Sequence, residues 1–303
     1  MKDFNEKLLI RLQRPKGEID AVLDTDTYNE IDDQYALSYM IKSDEKIKVK
    51  AIYAAPFFNE KSVGPEDGME KSYNEILTLL KLLGREDLKP FVLKGSRSYL
   101  MNEMTPVISD AAQDLANRAM QYSPEKPLYV VAIGAITNIA SAILINPAII
   151  DNIVIVWLGG HSFEWPKTDE FNMRQDVAAA RIIFGCGAAV VQLPCMGVVS
   201  EFAVSGPELE YWLRGKNKLC DYLVDITLEA AANNKGCWSR VIWDVTAVAW
   251  LLSDNFVSDT LKKSPIPQYD NHYSFDINRH FIKYVFHIKR DALMQDLFEK
   301  LSK

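Results

Sequence analysis

The hydrophobic residues in the first two thirds of the chain form short, nearly continuous runs, separated by longer segments of helical periodicity. Such runs suit strands that are covered on both faces, whereas a period of 3.6 residues indicates amphipathic helices. The predicted strands are residues 21–23, 49–53, 91–93, 128–133, 153–158 and 188–193. The predicted helices between them are residues 32–41, 69–83, 109–121, 138–144 and 176–184. This alternation predicts an α/β fold with a mainly parallel sheet flanked by helices.

The pattern changes after residue 200, where helical stretches predominate. The predicted elements there are helices over 207–212, 218–232, 245–252 and 290–301, and a strand over 284–288. No linker or low-complexity tract marks a boundary, so we expect a single domain over residues 19–303, preceded by an N-terminal appendage over residues 1–18. The fold class is Rossmann-like with extra C-terminal helices, and ligands should bind at the carboxyl ends of the parallel strands.

Composition and charge narrow the range of partners. The chain has 303 residues, of which 48% are hydrophobic and 25% charged, as is typical of a folded globular protein. Its net charge of -7, with no Lys/Arg-rich stretch, argues against nucleic acid as a partner. No segment reaches the roughly 18 apolar residues of a membrane helix, and the N-terminus lacks a signal-peptide core. The four cysteines form no CxxC pair, so we expect buried, reduced thiols in a cytoplasmic protein.

A group of carboxylates follows the first predicted strand. Asp24 and Asp26 alternate at the strand end, and Asp32 and Asp33 begin a predicted helix whose dipole favours negative charge. Carboxylates this close repel one another and raise one another's pKa, so a divalent cation that prefers oxygen ligands is the simplest compensation. The sequence thus predicts a site for Ca²⁺ or Mg²⁺, and not for zinc, because no His or Cys lies nearby.

Two other interpretations apply to these acidic residues. Lone aspartates often cap helices or form surface turns. A phosphatase of the haloacid-dehalogenase type also begins with a strand and a DxD motif, but that family has Thr or Val where this chain has Tyr28. Its later Gly-Asp-x-x-x-Asp motif is not found here either. Four aspartates together after an apolar strand favour the cation site.

The acidic segment resembles the DxDxxxDD motif of the inosine/uridine-preferring nucleoside hydrolases, with two additional residues in the loop. The second predicted strand is followed by Ala-Pro-Phe-Phe-Asn, whose final Asn59 is similar to an asparagine that contacts ribose hydroxyls in that family. The resemblance extends over roughly residues 19–255, because further motifs follow in the family's order.

Three later motifs carry the rest of this resemblance. Residues 131–140 (VAIGAITNIA) are similar to the family's Gly-x-Leu-Thr-Asn signature. Residues 156–160 (VWLGG) and 170–172 (EFN) resemble its Gly-Gly and Glu-Phe-Asn pair. Residues 241–247 (VIWDVTA) resemble its His-Asp-Pro-x-Ala motif. Together they imply the nucleoside hydrolase fold and a catalytic domain over most of the chain.

The resemblance also implies roles for individual residues. A Ca²⁺ ion would be held by Asp24, Asp26, Asp33, the carbonyl of Ile133 and Asp244. Asp24 would either bind the ion directly or contact the residues that bind it. Asp26 would be the general base that activates a water. The ribose would be bound through its 2′- and 3′-hydroxyls by Asp32, Asn59 and Asp244, and through its 5′-hydroxyl by Glu170 and Asn172. A homodimer or homotetramer is implied as well.

The leaving-group side departs from the family. Trp243 stands where many members have a His that precedes the late aspartate, and an indole cannot donate a proton as an imidazolium does. Trp243 could stack on the base or pack in the core. His161, after two glycines at a strand end, and Tyr28, in the lengthened loop, are candidates for a replacement acid, although His161 could equally be structural. The stretch between residues 160 and 170 also lacks an asparagine that many members use for the 5′-hydroxyl.

Three functions fit these motifs. The first is Ca²⁺-dependent hydrolysis of purine or pyrimidine ribonucleosides to free base and ribose. The second is a Ca²⁺-dependent nucleoside-binding or ribosyl-binding protein without turnover, which the Trp243 departure makes conceivable. The third is a hydrolase of another N-riboside, with the same sugar site and a different base pocket. Retention of the metal-ligand carboxylates favours an enzyme, because a binding protein needs no water-activating ion.

Overall fold

An eight-stranded sheet forms the centre of the molecule. The computed structural model describes residues 2–303, with side chains from residue 6 onward. The strands are β1 (Ile19–Thr25), β2 (Ile47–Ala54), β3 (Val92–Lys94), β4 (Leu128–Ala132), β5 (Ile153–Leu158), β6 (Ala189–Leu193), β7 (Ala203–Ser205), β8 (Ser239–Val241), β9 (Val257–Lys263), β10 (Ile266–Pro267), β11 (Tyr273–Ser274) and β12 (Phe281–Ile288). Eight of them pair in the order β3-β2-β1-β4-β5-β6-β12-β9, and β7 with β8 and β10 with β11 form two short ribbons.

Helices surround this sheet. They are α1 (Lys2–Arg11), α2 (Asp32–Ile41), α3 (Pro65–Leu82), α4 (Asp110–Arg118), α5 (Thr137–Ile145), α6 (Phe171–Gln175), α7 (Val177–Gly185), α8 (Gly206–Trp212), α9 (Lys218–Ala230), α10 (Val245–Leu252) and α11 (Arg290–Leu301). Polar side chains cap several helices at their N-termini. The Ser109 hydroxyl accepts a hydrogen bond from the Ala112 amide at the start of α4, and the side-chain carbonyl oxygen of Asn217 accepts one from the Cys220 amide at the start of α9. No helix within residues 2–303 is both long and apolar enough to cross a membrane.

The direction of the strands positions the functional site. The pairs from β3 to β12 are parallel, and β9 runs antiparallel to β12 at one edge. From β1 the chain proceeds outward to β2 and β3, then returns to the other side of β1 for β4. This reversal is a topological switch point, where parallel sheets leave a crevice at the carboxyl ends of two adjacent strands. The predicted α/β class with a mainly parallel sheet is confirmed.

The strands that the sequence did not predict are either polar or very short. β9 reads VSDTLKK, and most of its residues are partly exposed, so it lacks the apolar run of a central strand. The ribbons β7/β8 and β10/β11 have strands of two or three residues, too short to show a period. The inner strands are the opposite case: every residue of β4, β5 and β6 is buried, because helices cover both faces.

The N-terminal segment, predicted as an appendage over residues 1–18, packs against the rest of the molecule where the structure describes it. Leu8 and Leu12 are wholly buried in the main hydrophobic core. The Arg14 guanidinium donates hydrogen bonds of 2.9–3.0 Å to the carbonyls of Trp250, Ser253 and Val257. Leu8, Leu12 and Arg14 therefore attach this segment to the rest of the molecule, and the division into an appendage over residues 1–18 and a single domain over residues 19–303 stays a prediction.

The four cysteines are free thiols in this structure. Cys195 and Cys220 are buried and Cys186 is half-buried, but Cys237 is exposed. The expectation that all four are buried is therefore wrong for Cys237, which lies in the turn between α9 and β8.

Replacement of Arg14 tests the attachment of the N-terminal segment. Arg14 also pairs with the Asp259 carboxylate at 2.6 Å, and its side chain is 19% exposed. We expect Arg14→Ala to lower the free energy of unfolding by about 2–3 kcal/mol, because three carbonyls lose their hydrogen bonds to Arg14 and the Asp259 carboxylate keeps Trp250 and Lys283 as its remaining partners. Urea denaturation measures the free energy of unfolding of the variant and of the natural protein. Arg97→Ala is the control, since that ion pair is mostly exposed, and an equal effect of both variants would contradict the assignment.

Candidate functional site

The candidate site is an open cavity at the switch point, beside the carboxyl ends of β1 and β4. Its volume is about 240 Å³, slightly below the range of about 300–1,000 Å³ that is typical of small-molecule sites. The residues that line it come from the loops after β1, β4, β5, β6 and β8. They are Asn29, Glu30, Asp32, Asp33, Ile133, Leu158, His161, Asp169, Glu170, Phe171, Asn172, Cys195, Met196, Trp243 and Asp244.

Three carboxylates meet in this cavity. Asp32 and Asp33 form the first turn of α2, and Asp244 stands at the start of α10 without capping it through its side chain. One oxygen from each lies within 4.8 Å of the other two, and all three residues are buried. Asp244 shares hydrogen bonds with both Asp32 and Asp33. The structure thus unites the early acidic segment with the late aspartate that sequence motifs assigned to the same site.

Asp24 is held beside this group by an amide. The Asn138 Nδ2 donates to Asp24 Oδ1 at 2.7 Å, and the Asn138 carbonyl oxygen accepts from the amide and hydroxyl of Ser96 at 2.7 and 2.8 Å. Asn138 therefore has a fixed orientation and is not a helix cap. The second oxygen of Asp24 is buried without a hydrogen-bond partner among the described residues.

Asp26 is the least satisfied acid of the site. It is wholly buried, and neither carboxylate oxygen has a hydrogen-bond partner within the described chain. A Cβ atom at Gly134, directly after β4, would lie 2.8 Å from Asp26 Oδ1, so the glycine permits the close approach of β4 to this acid. Buried carboxylate oxygens without partners are rare and costly, so a cation or a bound water is the expected complement.

Burial raises the pKa of every acid in the group. The pKa of Asp24 rises to about 7, because burial and the charge of Asp33 outweigh the Asn138 hydrogen bond. The pKa of Asp33 rises to about 7 through burial, although Thr25 donates to it at 2.5 Å. The pKa values of Asp26, Asp32 and Asp244 are raised well above the ordinary value by burial and by neighbouring carboxylates. Without a counterion, these acids cannot all be ionised at neutral pH.

Asn172 and Glu170 fasten the opposite wall. Asn172 Nδ2 donates to the carbonyls of Ile133 and Leu158 at 3.1 and 3.0 Å, which links the ends of β4 and β5. The Glu170 carboxylate accepts from the backbone amides of Gly160, Asn172 and Met173 at 2.8–2.9 Å. Both side chains are buried and both line the cavity, so Glu170 is not a solvated surface acid.

Trp243 and His161 also line the cavity. Trp243 is half-buried and packs against the hydrophobic core with one part of its ring. The Nδ1 of His161 accepts a hydrogen bond from the Met196 amide at 3.2 Å. Burial lowers the pKa of His161, while Asp169 opposes that shift, so the imidazole is neutral at pH 7.

Two predicted substrate residues lie outside this cavity. Tyr28 and Asn59 line an adjoining cleft, which shares Asn29 and Glu30 with the cavity. Tyr28 is 42% exposed. Asn59 Nδ2 donates to Asn29 Oδ1 at 2.6 Å, so Asn59 reaches the cavity only through Asn29.

Several cavity residues were not singled out from the sequence. Asn29 and Glu30 lie inside the acidic segment, whose lengthened loop gave no guide to their direction. Cys195 and Met196 follow β6, and the rule that ligands bind beyond the carboxyl ends of parallel strands could have indicated them. Asp169 and Phe171 flank Glu170 and carry no separate signal.

The arrangement can hold a divalent cation. The donor set consists of carboxylate oxygens with carbonyls nearby, as hard cations prefer, and the unpartnered oxygens of Asp24 and Asp26 fit this interpretation. The half-buried Trp243 and the polar wall of Glu170 and Asn172 leave room for a small polar molecule beside the acids.

Comparison with known proteins places this chain in a family. The chain is 26% identical over 242 residues to the pyrimidine-specific ribonucleoside hydrolase RihA of Citrobacter koseri, which covers 69% of this chain and 76% of RihA. The RihA protein of Salmonella arizonae is similar to the same extent.

Solved structures agree on the fold. A plant nucleoside hydrolase, the PpNRh1 enzyme, superposes with a TM-score of 0.75 at 20% identity over 95% of this chain and 99% of its own. The purine-preferring ribonucleoside hydrolase of Gardnerella vaginalis has the same TM-score and identity over 93% of this chain and 98% of its own. The family model described as inosine-uridine preferring nucleoside hydrolase matches residues 21–280. This chain, an enzyme of the hydrolase class, therefore belongs to the inosine-uridine preferring nucleoside hydrolase family.

Proposed function

We propose that this ribonucleoside hydrolase depends on Ca²⁺ and uses Asp26 as the general base that activates water. The observation that carries the proposal is the pair of buried, unpartnered Asp26 oxygens next to the meeting point of Asp32, Asp33 and Asp244. Such a group of acids is unstable without a counterion, and three of its members, Asp32, Asp33 and Asp244, line the cavity where a small substrate fits.

The ion would be held by carboxylates and one backbone oxygen. The sequence motifs assign Asp24, Asp26, Asp33, Asp244 and the carbonyl of Ile133 to it, and the proximity of Asp32 to Asp33 and Asp244 makes Asp32 a neighbour of the same ion. All ligands are oxygens, which favours Ca²⁺ over softer metals. A bound Ca²⁺ supplies a water of lowered pKa and balances the negative charge of the group.

Asp26 takes the proton of the attacking water. A bound cation would favour the ionised form of Asp26 despite its burial, and the Asp26 oxygens, which have no hydrogen-bond partner among the described residues, are free to accept the proton. In the ion-free protein, burial and the charges of Asp33 and Asp32 raise the pKa of the same acid.

The ribosyl group is bound between two polar walls. On one side Asp32 and Asp244 accept hydrogen bonds from the 2′- and 3′-hydroxyls, with Asn29 presented to the sugar by Asn59. On the other side Glu170 and Asn172 hold the 5′ end. This grip orients the anomeric carbon, and the carboxylates favour the positive charge that develops on the ribosyl ring.

The base leaves toward Trp243 and the adjoining cleft. Trp243 offers an aromatic face for stacking, and Tyr28 lines the cleft from the lengthened loop. The relatives include both a pyrimidine-specific and a purine-preferring ribonucleoside hydrolase, so both classes of base belong in the substrate test.

The same proposal includes a cytoplasmic homodimer or homotetramer. A nucleoside-binding protein without turnover, or a hydrolase of another N-riboside, remains the alternative if none of the common nucleosides is cleaved.

Release of free ribose tests the reaction and its metal requirement. With inosine, adenosine, guanosine, uridine and cytidine as substrates, we expect ribose release that chelator abolishes and Ca²⁺ restores. A reducing-sugar assay measures it. Release unaffected by chelator would refute the Ca²⁺ requirement, and no release from any substrate by Ca²⁺-bound protein would refute the hydrolysis of these nucleosides.

Asp26→Asn tests the general base. The amide has the size of the carboxylate but cannot take a proton, so we expect kcat to fall by about 10³-fold, with an unchanged circular dichroism spectrum. Asp44→Asn is the matched control, because Asp44 is exposed and remote from the cavity. Retention of more than a tenth of the activity in Asp26→Asn would contradict the assignment.

Thermal stability with and without Ca²⁺ tests the site independently of turnover. In the ion-free protein, the raised pKa values of Asp24 and Asp33, about 7, favour the folded state at acidic pH, and this stabilisation is lost as the pH rises toward 7. Ca²⁺ must displace these protons, so its stabilising effect should be larger at about pH 8 than at about pH 5. Differential scanning calorimetry measures Tm. An equal Tm increase at both pH values would contradict the site.

A further inference from the structure

The turn after β5 and the turn after β6 are joined around His161. The Cys195 amide donates to the carbonyl of Gly160 at 2.8 Å, and the Ser162 amide donates to the carbonyl of Met196 at 3.0 Å. Between these two bonds, the Met196 amide donates to His161 Nδ1 at 3.2 Å. The Met196 amide therefore holds the imidazole, and the two backbone bonds fix the turn that carries it.

These contacts also determine where the ring proton lies. A nitrogen that accepts a hydrogen bond from an amide cannot itself carry a proton, so the neutral ring has its proton on Nε2. Nε2 lies 3.8 Å from the Asp169 carboxylate, which is too far for a hydrogen bond, and the His161 side chain is only 11% exposed. Within the described chain, Nε2 is thus a nearly buried donor without a protein acceptor, in a residue that lines the cavity.

His161 stands at the Glu170 end of the cavity. Its neighbour Gly160 donates its amide to the Glu170 carboxylate at 2.8 Å. Glu170 and Asn172 line the same cavity, and under the proposed function they hold the 5′ end of the ribose. A donor without a protein acceptor at that end of the cavity is suited to the oxygen of a bound hydroxyl.

We propose that His161 is a specificity-determining residue whose Nε2–H donates to the 5′-hydroxyl oxygen of the ribosyl substrate. This inference rests on the proposed function, since it uses the assignment of Glu170 and Asn172 to the 5′ end. It makes His161 a sugar contact and not the acid that protonates the leaving base. The enzyme therefore prefers ribosides with a free 5′-hydroxyl to their 5′-deoxy analogues.

Two substitutions separate the functions of the two ring nitrogens. His161→Gln places an amide nitrogen near the position of Nε2 and keeps the donor. His161→Asn places an amide oxygen near the position of Nδ1, so it keeps the acceptor for the Met196 amide and removes the donor. Both variants are close in size to the original, and the Asn variant preserves the contact that joins the two turns.

The test compares each variant on three substrates: the best nucleoside of the panel, its 5′-deoxy analogue and p-nitrophenyl riboside. The last has a leaving group that departs without protonation. For His161→Asn we expect kcat/KM to fall about tenfold on both substrates with a 5′-hydroxyl, and by less than about twofold on the 5′-deoxy nucleoside. His161→Gln should retain most of the preference for the 5′-hydroxyl.

Two outcomes would overturn the inference. An equal loss on the 5′-hydroxy and 5′-deoxy nucleosides would show that His161 acts only on the structure of the turn. A loss on the nucleosides with none on p-nitrophenyl riboside would make His161 the leaving-group acid. If the natural protein cleaves none of the substrates, the proposed function fails separately. Calorimetric binding of the nucleoside and its 5′-deoxy analogue to the natural protein and the Asn variant then decides the role of His161.

Discussion

Repulsion among buried carboxylates is the constraint around which the site is organised. Five aspartates are buried at the carboxyl ends of the parallel strands, and burial raises the pKa of each: Asp24, Asp26, Asp32, Asp33 and Asp244. Such a group destabilises the ion-free fold at neutral pH, because charging it without a partner costs free energy. The surrounding hydrogen bonds partly offset this cost, and a divalent cation offsets the rest.

The fold supplies the framework that keeps these acids together despite their repulsion. Every residue of α2 is buried, so its first turn cannot move away from the sheet, and its positive end faces the carboxylates. Asn138 holds Asp24, Thr25 donates to Asp33, and Gly134 lets β4 approach Asp26. These contacts lie beside the carboxyl ends of β1 and β4, next to the switch point. The order of the strands in the sheet therefore brings the acidic group together.

The sequence allowed the apolar strands, most helices and the early aspartates to be predicted, because each leaves a local signal of period or composition. Periodicity and composition could not show that Asp244 meets Asp32 and Asp33, since that meeting depends on how α10 packs beside α2; only the resemblance to the family implied it. Asn59 was predicted to touch the sugar, yet it lies in the adjoining cleft and holds Asn29. The hydrogen bonds of Arg14 to backbone carbonyls could not be predicted from the sequence either, because a carbonyl acceptor requires no particular side chain.

Hydrogen bonds connect the two walls of the cavity, namely the acidic side proposed to hold the ion and the Glu170 side proposed to hold the sugar. Asn172 bonds to the carbonyl of Ile133, and that same carbonyl is the proposed backbone ligand on the acidic side. The Glu170 carboxylate accepts hydrogen bonds from the amides of Asn172 and Gly160, and His161 is the residue after Gly160. A sugar that engages the Glu170 wall therefore acts on a side chain that also positions β4. Ribose binding and the placement of the reactive water need not be independent, because one short chain of hydrogen bonds joins them.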